Sequence, residues 1–421
     1  MDRIRGMQDI FPNESDKWLF VEGVMRNCAE TLGFGYVRVP IMEFTDLFCR
    51  SVGDLSDIVQ KEMYTFEDKG GRSVTLRPEF TAGVLRAFLN ISKDTVLPAK
   101  FMCFGPCFRY EKPQSGRYRE FFQFDAEIFG GNSVAADAEL IFLAKSIFKE
   151  LGIFDLDLQI NAVGCPECRA GYRDILFSYF EANADNFCDI CSERLVKNPL
   201  RIFDCKNKIC KKICEDAPHT IEHVCPNCKK DFEQFKLYLN VADVKYSVNS
   251  RMVRGLDYYT KLVFEFVTRV QGSDLTVCGG GRYDGLSEKF GAPNFSATGF
   301  GIGVERVISV MESLNFKFPI FNKRDLFVVS VDDFSTEAVK LVIKLRAGGI
   351  SADFDLVGRN VKSQMRFADK MGYNFTIVLG PEEILNNKVE ARRMSDGAIF
   401  TLNLDENSVD SFYEILNHGG L

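Results

Sequence analysis

The stretch FMCFGPCFRYEKPQSGRYREFFQFDAEIFG (residues 101–130) decides how the chain is organised. Its second half alternates at period two. Phe122, Phe124, Ala126 and Ile128 fall on one side, and Phe121, Gln123, Asp125 and Glu127 on the other, the pattern of a strand with one apolar face. Phe101 to Phe108 is a second short apolar run. The loop between them carries Arg109, Glu111, Lys112, Arg117 and Arg119 around Pro113 and Gly116. This predicts an antiparallel hairpin with a cationic tip. A strand face of mixed charge ordinarily meets water. Two features point elsewhere. Arg109 ends a strand, where its planar fork can grip an anion. Gln123 and Glu127 lie on one face, so both can line one pocket floor.

At 421 residues the chain exceeds one ordinary core, and two to four domains are expected. Hydrophobic content of 46% and charged content of 26% are globular values. The opening MDRIRGMQDIFP has no apolar signal core, and no long charge-free apolar run follows, which predicts a cytoplasmic protein without membrane spans. A net charge of −7 argues against indiscriminate coating of nucleic acid, while leaving room for a local basic surface. The 14 cysteines then read as reduced thiols or metal ligands.

Residues 15–32 place Trp18, Val21, Met25, Cys28 and Leu32 on one helical face, with Ser15 as N-cap and Gly33 as stop. GFGYVRVPIMEF (33–44) reads as a strand interrupted by Pro40, suited to an edge or an interface. Residues 62–89 suggest a hairpin turning at Lys69-Gly70-Gly71, then a helix from Thr81 with Glu79 serving its N-terminus. In YSVNSRMVRGLDYYTKLVFEFVT (246–268), Arg254-Gly255 leads into a strand that starts near Tyr258 and Tyr259. CGGGRYDGL and ATGFGIGVERVI (297–308) are glycine-rich but match neither a phosphate-binding P-loop nor the dinucleotide fingerprint. A linker is expected over 309–324. From 325, the strands DLFVVSV, SADFDLV and NFTIVLG, with helices from Thr336 and Asn360, predict a small α/β domain. Arg359, Lys362, Arg366 and Lys370 form a stripe on the second helix, in a domain otherwise slightly acidic (12 basic, 15 acidic residues from 323 on).

Residues 165–228 hold nine of the cysteines. Three Cys-x-x-Cys pairs (Cys165/Cys168, Cys188/Cys191, Cys225/Cys228) have the spacing of tetrahedral thiolate sites, with Cys205, Cys210 and Cys214 between them. HTIEH (His219, Glu222, His223) matches a short zinc-peptidase pattern but lacks an evident third ligand.

FRYEKPQSGRYREFFQFDAEIFG resembles motif 2 of class II aminoacyl-tRNA synthetases, most closely that of the histidyl-tRNA synthetase family. RGLDYY is similar to the stretch that sets that family apart, GFGIGVER to motif 3, and the strand with Pro40 to motif 1, which implies a homodimer interface. The resemblance implies an α+β catalytic domain with an antiparallel active-site sheet (1–164 and 239–320), a mainly helical insertion (165–238) and an anticodon-binding α/β domain (325–421). It implies activation of L-histidine with ATP and Mg2+ and transfer to tRNA(His). Arg109, Arg254 and Arg306 are implied as catalytic; Glu79, Phe80, Thr81, Gln123, Glu127, Arg254, Tyr258 and Tyr259 as the histidine site; Arg109, Glu111, Arg117 and Arg306 as the ATP site; and Gln114, Arg117, Arg359, Lys362 and Arg366 as tRNA contacts. Phe80 stands where the family text has glycine. The family's insertion is not generally a metal domain, so no metal ligand is assigned.

The residue types suit that chemistry. The nucleophile is an already ionised carboxylate, so catalysis reduces to alignment and positive charge at phosphorus. All three histidines (His219, His223, His418) lie outside these stretches. A catalytically silent paralogue regulating histidine biosynthesis is the competing reading; such proteins typically lack RGLDYY and the C-terminal domain. A class II enzyme for another amino acid would not be expected to carry RGLDYY. A class I enzyme is disfavoured because neither His-x-Gly-His nor Lys-Met-Ser-Lys-Ser occurs.

Overall fold

The computed structural model describes residues 2–418 apart from 13, 54, 55, 113–115, 206, 253–255, 257, 271, 322, 332 and 333. The chain divides into two compact units, Met1–Pro319 and Ile320–Leu421. No described helix is long and apolar enough to cross a membrane.

The first unit is built on an eight-stranded sheet. In spatial order its strands are Gly35–Tyr36, Ala99–Phe108, Glu120–Phe129, Ala297–Gly303, Ser273–Arg282, Thr260–Val270, Asp157–Gly164 and Ser247–Val248. Pairing is antiparallel except at the two edges. The 101–130 hairpin forms as expected, with Phe104 opposite Phe124 and Gly105 opposite Gln123. Phe124, Ala126 and Ile128 enter a core shared with helices Glu14–Thr31, Ala135–Glu150 and Val304–Ser313. That leaves the Gln123–Asp125–Glu127 side of the sheet to form a site.

Three local readings differ from the sequence expectation. The 14–31 helix begins one residue before Ser15, so Ser15 is not its N-cap. Gly33 does end it, at φ +79°. The stretch 33–44 is not one interrupted strand but two short ones in different sheets. Gly35–Tyr36 edges the large sheet, whereas Met42–Phe44 joins Tyr64–Glu67 and Ser73–Leu76 in a three-stranded sheet. The carbonyls of Val39 and Pro40 are taken by the Arg77 guanidinium (2.9 and 3.4 Å), which satisfies this backbone outside any ladder. The Lys69–Gly71 turn and the helix Thr81–Ile91 form as read, while helix Val304–Ser313 runs into the expected linker.

Between the strands Asp157–Gly164 and Ser247–Val248 the chain leaves the sheet as short helices, ending in Pro226–Val241, whose Phe232, Phe235 and Leu239 return to the main core. The excursion has a small core of its own around Tyr172, Leu176, Phe180, Leu195 and Ile202. Buried Asn161 donates to the carbonyls of Ser250 and Met252, holding the approach to Tyr258 against the sheet. Ser250 also bonds His219 Nδ1 at 2.8 Å.

The second unit has a five-stranded mixed sheet. Leu326–Ser330 pairs in parallel with Ala352–Phe354 and Phe375–Leu379, and Lys388–Arg393 and Ile399–Asn403 add antiparallel. Asn360 caps the helix Val361–Met371, its side chain accepting from Ser363 N–H.

One buried ion pair ties the layers of the first unit together. Arg282, on the glycine-rich strand, meets Asp137 on the 135–150 helix through Nε (3.1 Å) and Nη2 (2.5 Å), both side chains 1% exposed. Carbonyls of Gly131 and Ser133 take further donors, and Thr298 donates to Asp137. Every partner is satisfied, so removing one strands the other. Asp137→Ala should lower stability by about 3–5 kcal/mol in urea unfolding; a loss below about 1 kcal/mol would show that the pair does not hold these layers together.

Candidate functional site

On the polar side of the 120–129 strand lies a cavity of about 360 Å³, within the range of small-molecule sites. Arg109 and Glu111, Gly116–Tyr118, the strand Glu120–Phe129, the segment before the 81–91 helix, Leu256 with Tyr258 and Tyr259, and the two glycine-rich strands wall it.

One part of the wall is cationic. Arg109, Arg117 and Arg306 all line it. Arg109 Nε is spent on the Pro78 carbonyl (2.9 Å) and its guanidinium lies over the Phe121 ring, which fixes its direction. Arg306 is held by the Thr276 carbonyl (2.7 Å). Burial, then the neighbouring Arg117 and Arg109, lower its pKa. Three guanidinium groups close enough to repel one another form a site complementary to an anion. Glu111, paired with Arg117 at 2.9 Å, Glu265 and Glu305 are among the carboxylates there.

The other part is rich in carboxylates. Glu79 Oε1 accepts from Ala82 N–H (3.1 Å), so it does serve the helix as expected, while Oε2 has no partner among the described residues. Asp125 Oδ1 and Gln123 Oε1 are likewise buried and unpartnered. Burial, reinforced by Glu79, pushes Asp125 well above the usual carboxylate range; burial also raises Glu79. Glu127, 1% exposed, stands one hydrogen bond behind the cavity, accepting from Thr81 (2.6 Å) and from the Tyr283 hydroxyl. Burial and then Asp125 raise it strongly. Tyr258 and Tyr259 close this end with rings 4.7 Å apart. Acceptors crowded with only a partial offset from Arg109 are complementary to a cation that also donates hydrogen bonds.

The glycines of GFGIG have a specific cause. A Cβ at Gly299 would lie 1.5 Å from Glu127 Oε2, and one at Gly301 would lie 2.6 Å from Asp125 Oδ1. They clear volume for carboxylates on the paired strand, in register with Glu127 and Asp125.

Of the residues singled out from sequence, Glu79, Thr81, Arg109, Glu111, Arg117, Gln123, Tyr258, Tyr259 and Arg306 share this cavity, with Glu127 directly behind it. Phe80 is a correction. Its ring is 1% exposed, packs in the core under the Arg77 guanidinium and does not line this cavity; its N–H serves the site by bonding Asp125. Arg254 and Gln114 lie outside the described residues. Lys362 and Arg366 are exposed on the 361–371 helix of the second unit, whereas Arg359 is tied to Asp355 (2.6 Å) and stacked on Phe367. His219 and His223 join no described metal-ligating group, and His223 stacks on Tyr172, which removes the peptidase pattern. Sequence reasoning missed Tyr283, Glu265, Thr276 and Glu305. Tyr283 follows the glycine run with only Arg282 between them, and that was the available signal.

Glu305 accepts from Phe122 N–H with both oxygens (2.9 and 3.1 Å), and burial raises its pKa from 4.5 to about 7. The folded state therefore holds this proton more tightly than the unfolded chain. That contribution to stability is complete below pH 4.5 and is lost as pH rises through about 7. Glu305→Gln should gain on the unsubstituted protein between pH 4.5 and 8, by up to about 3 kcal/mol. Unfolding curves of both at the two pH values read this directly, and parallel pH dependences would refute it.

Known proteins match this arrangement closely. A sequence model of the family described as histidyl-tRNA synthetase matches residues 6–167 and 215–307, and one described as an anticodon binding domain matches 320–408. Histidine–tRNA ligase of Clostridium novyi (strain NT) is 46% identical over 407 residues, spanning 96% of this chain and 97% of its own length. That of Clostridium perfringens (strain ATCC 13124) is 44% identical over 408 residues, with 96% and 97% covered. The crystal structure of apo S. aureus histidyl-tRNA synthetase superposes with a TM-score of 0.83 at 36% identity, covering 98% of this chain and 99% of that one. A Bacillus halodurans C protein described as an ATP phosphoribosyltransferase regulatory subunit/histidyl-tRNA synthetase shares the fold at 22% identity and a TM-score of 0.63. By its sequence over most of its length and by its fold, this chain belongs to the histidyl-tRNA synthetase family.

Proposed function

We propose that the chain is a histidine–tRNA ligase that activates L-histidine with ATP and transfers it to tRNA(His) in the cytoplasm. One observation carries the reading: a single cavity sets three guanidinium groups beside a pocket of unpartnered buried acceptors. Triphosphate and amino acid have those complementary charges. Residues 1–164 and 239–320 form the catalytic domain, 165–238 its insertion, and 325–421 the anticodon-binding domain. The presence of the C-terminal unit and of RGLDYY favours this over the regulatory paralogue.

In the reaction the histidine carboxylate attacks the α-phosphorus of ATP. A carboxylate–phosphorus bond forms, the bond to the bridging oxygen breaks, and pyrophosphate leaves. Arg109 sits between the two ends: its charge bears on Glu79 and Asp125 as well as on Arg306. It aligns the carboxylate with the α-phosphate, and Arg306 braces the far phosphates, with Arg117 beside it. Arg254 is assigned as a second α-phosphate donor on the resemblance of RGLDYY. Glu111 and Glu265 offer the carboxylate oxygens that suit Mg2+. The ion would neutralise charge on the departing pyrophosphate.

At the other end Glu79, Asp125 and Gln123 receive the α-ammonium. A neutral imidazole has one N–H and one acceptor nitrogen. Thr81, whose hydroxyl hydrogen is held by Glu127, accepts the first, so Glu127 acts through it, and the hydroxyl of Tyr258 or Tyr259 serves the second. Buried polar pairing of this kind rejects analogues by about 10⁴-fold without editing. Ile41, Met42, Phe44 and Phe66 expose apolar surface on and beside the three-stranded sheet, which supports a homodimer through that face. Exposed Lys362 and Arg366 are the assigned tRNA contacts of the second unit, and Gln114 and Arg117 those of the first.

ATP–pyrophosphate exchange screened across the twenty amino acids tests the reading; histidine alone should support it, and exchange with another amino acid would overturn it. Arg306→Ala should cost about 10²–10³-fold in that exchange, the size of losing one transition-state donor. Lys362→Glu with Arg366→Glu should weaken tRNA charging at least about tenfold and leave exchange unchanged, since phosphate contacts govern affinity; equal loss in both assays would mean the helix only supports the fold.

A further inference from the structure

The fold gathers eight of the nine insertion cysteines into two sets of four. Cys165, Cys168, Cys225 and Cys228 form one, and Cys188, Cys191, Cys205 and Cys210 the other; within each set all sulfurs lie within 4.8 Å of one another. We infer that the insertion is a two-zinc module, each ion held by four thiolates.

The geometry is that of the donor set. With Zn–S near 2.3 Å, the edge of a regular tetrahedron is about 3.8 Å. Cys188 and Cys205 sulfurs are 3.8 Å apart, and those of Cys165 and Cys168 are 3.4 Å apart. All 14 cysteines are free. Each Cys-x-x-Cys pair has the same local design, with the first cysteine at a helix N-cap and the second in its first turn. Backbone N–H groups point at the sulfurs, as thiolates require: Cys225 N–H at Cys168 (3.0 Å), Asn207 N–H at Cys205 (3.4 Å) and Cys188 N–H at Cys210 (3.5 Å).

The fold also needs such ions. Four of the ten buried residues in the insertion's core are cysteines, and a core that small seldom holds itself without a staple. The first set joins the insertion's two ends. Cys165 follows the strand Asp157–Gly164, and Cys225 opens the helix that returns to the main core. Gly164 (φ +75°) leaves room for it, since a Cβ there would lie 2.5 Å from that of Cys168. Arg169, beside Cys168, donates to the Tyr259 carbonyl at 2.8 Å, so the clamp reaches the cavity wall. The family's sequence model leaves 168–214 unmatched, and five of the eight ligands fall in that gap.

The test is metal content of the full-length protein, stripped, reduced and reconstituted with zinc alone. Two zinc ions per chain are expected. Cys225→Ser and Cys188→Ser should each retain one, and Cys214→Ser, altering the ninth cysteine, should retain two. Cobalt in place of zinc should give the intense sulfur-to-metal absorption of tetrahedral thiolate sites, and the count does not depend on enzymatic activity. Fewer than two zinc ions in the unsubstituted protein overturns the inference even if a variant fails to fold. Undiminished zinc in Cys225→Ser or Cys188→Ser would overturn the ligand assignment, and iron co-purifying in zinc's place would overturn the metal's identity.

Discussion

The structure turns on the desolvation of carboxylates along one strand. Asp125 and Glu127 are 3% and 1% exposed, where an unpaired charge is costly. Their tolerance depends on close complementarity. Thr81 and Tyr283 donate to Glu127, the Phe80 N–H reaches Asp125, and the facing strand omits two side chains so that the carboxylates fit. The opposite face of the same strand is ordinary apolar core. One alternating segment therefore supplies both the fold's packing and the site's chemistry.

Around that strand each element contributes one group and is itself pinned. Pro78 fixes Arg109, Thr276 fixes Arg306, and Asn161 holds the approach to the tyrosines. The Arg282–Asp137 pair secures the glycine-rich strand behind them. Precision in the cavity thus comes from backbone carbonyls and buried pairs, which a rigid sheet can hold better than a surface loop.

Much of this was legible in the sequence because the hairpin's alternation is strong and local. The period-two pattern placed Phe124 and Glu127 on opposite faces, and Asn360 and Gly33 marked helix ends correctly. What escaped depended on distant partners. Arg77 diverts the backbone at Pro40, which no local pattern signals. Phe80 looked like a site residue because it sits between two of them, yet helix entry turns its ring into the core. The glycines of 299–303 matched no nucleotide-binding pattern, and their purpose is set by side chains across the ladder. The cysteine pairs showed metal spacing, but only folding could bring Cys165 to Cys225 and Cys188 to Cys205.

Arg109 stands where the electrostatic influence of both cavity ends overlaps. Its charge partly offsets the acceptors on one side and adds to the repulsion on the other. A phosphate drawing on that guanidinium alters what the neighbouring carboxylates experience, and an ammonium quenching them alters what the phosphate experiences. Such coupling is symmetric by thermodynamic necessity. On the proposed assignment, nucleotide and amino acid are not independent guests: each one's affinity depends on the other's presence through the position of a single side chain.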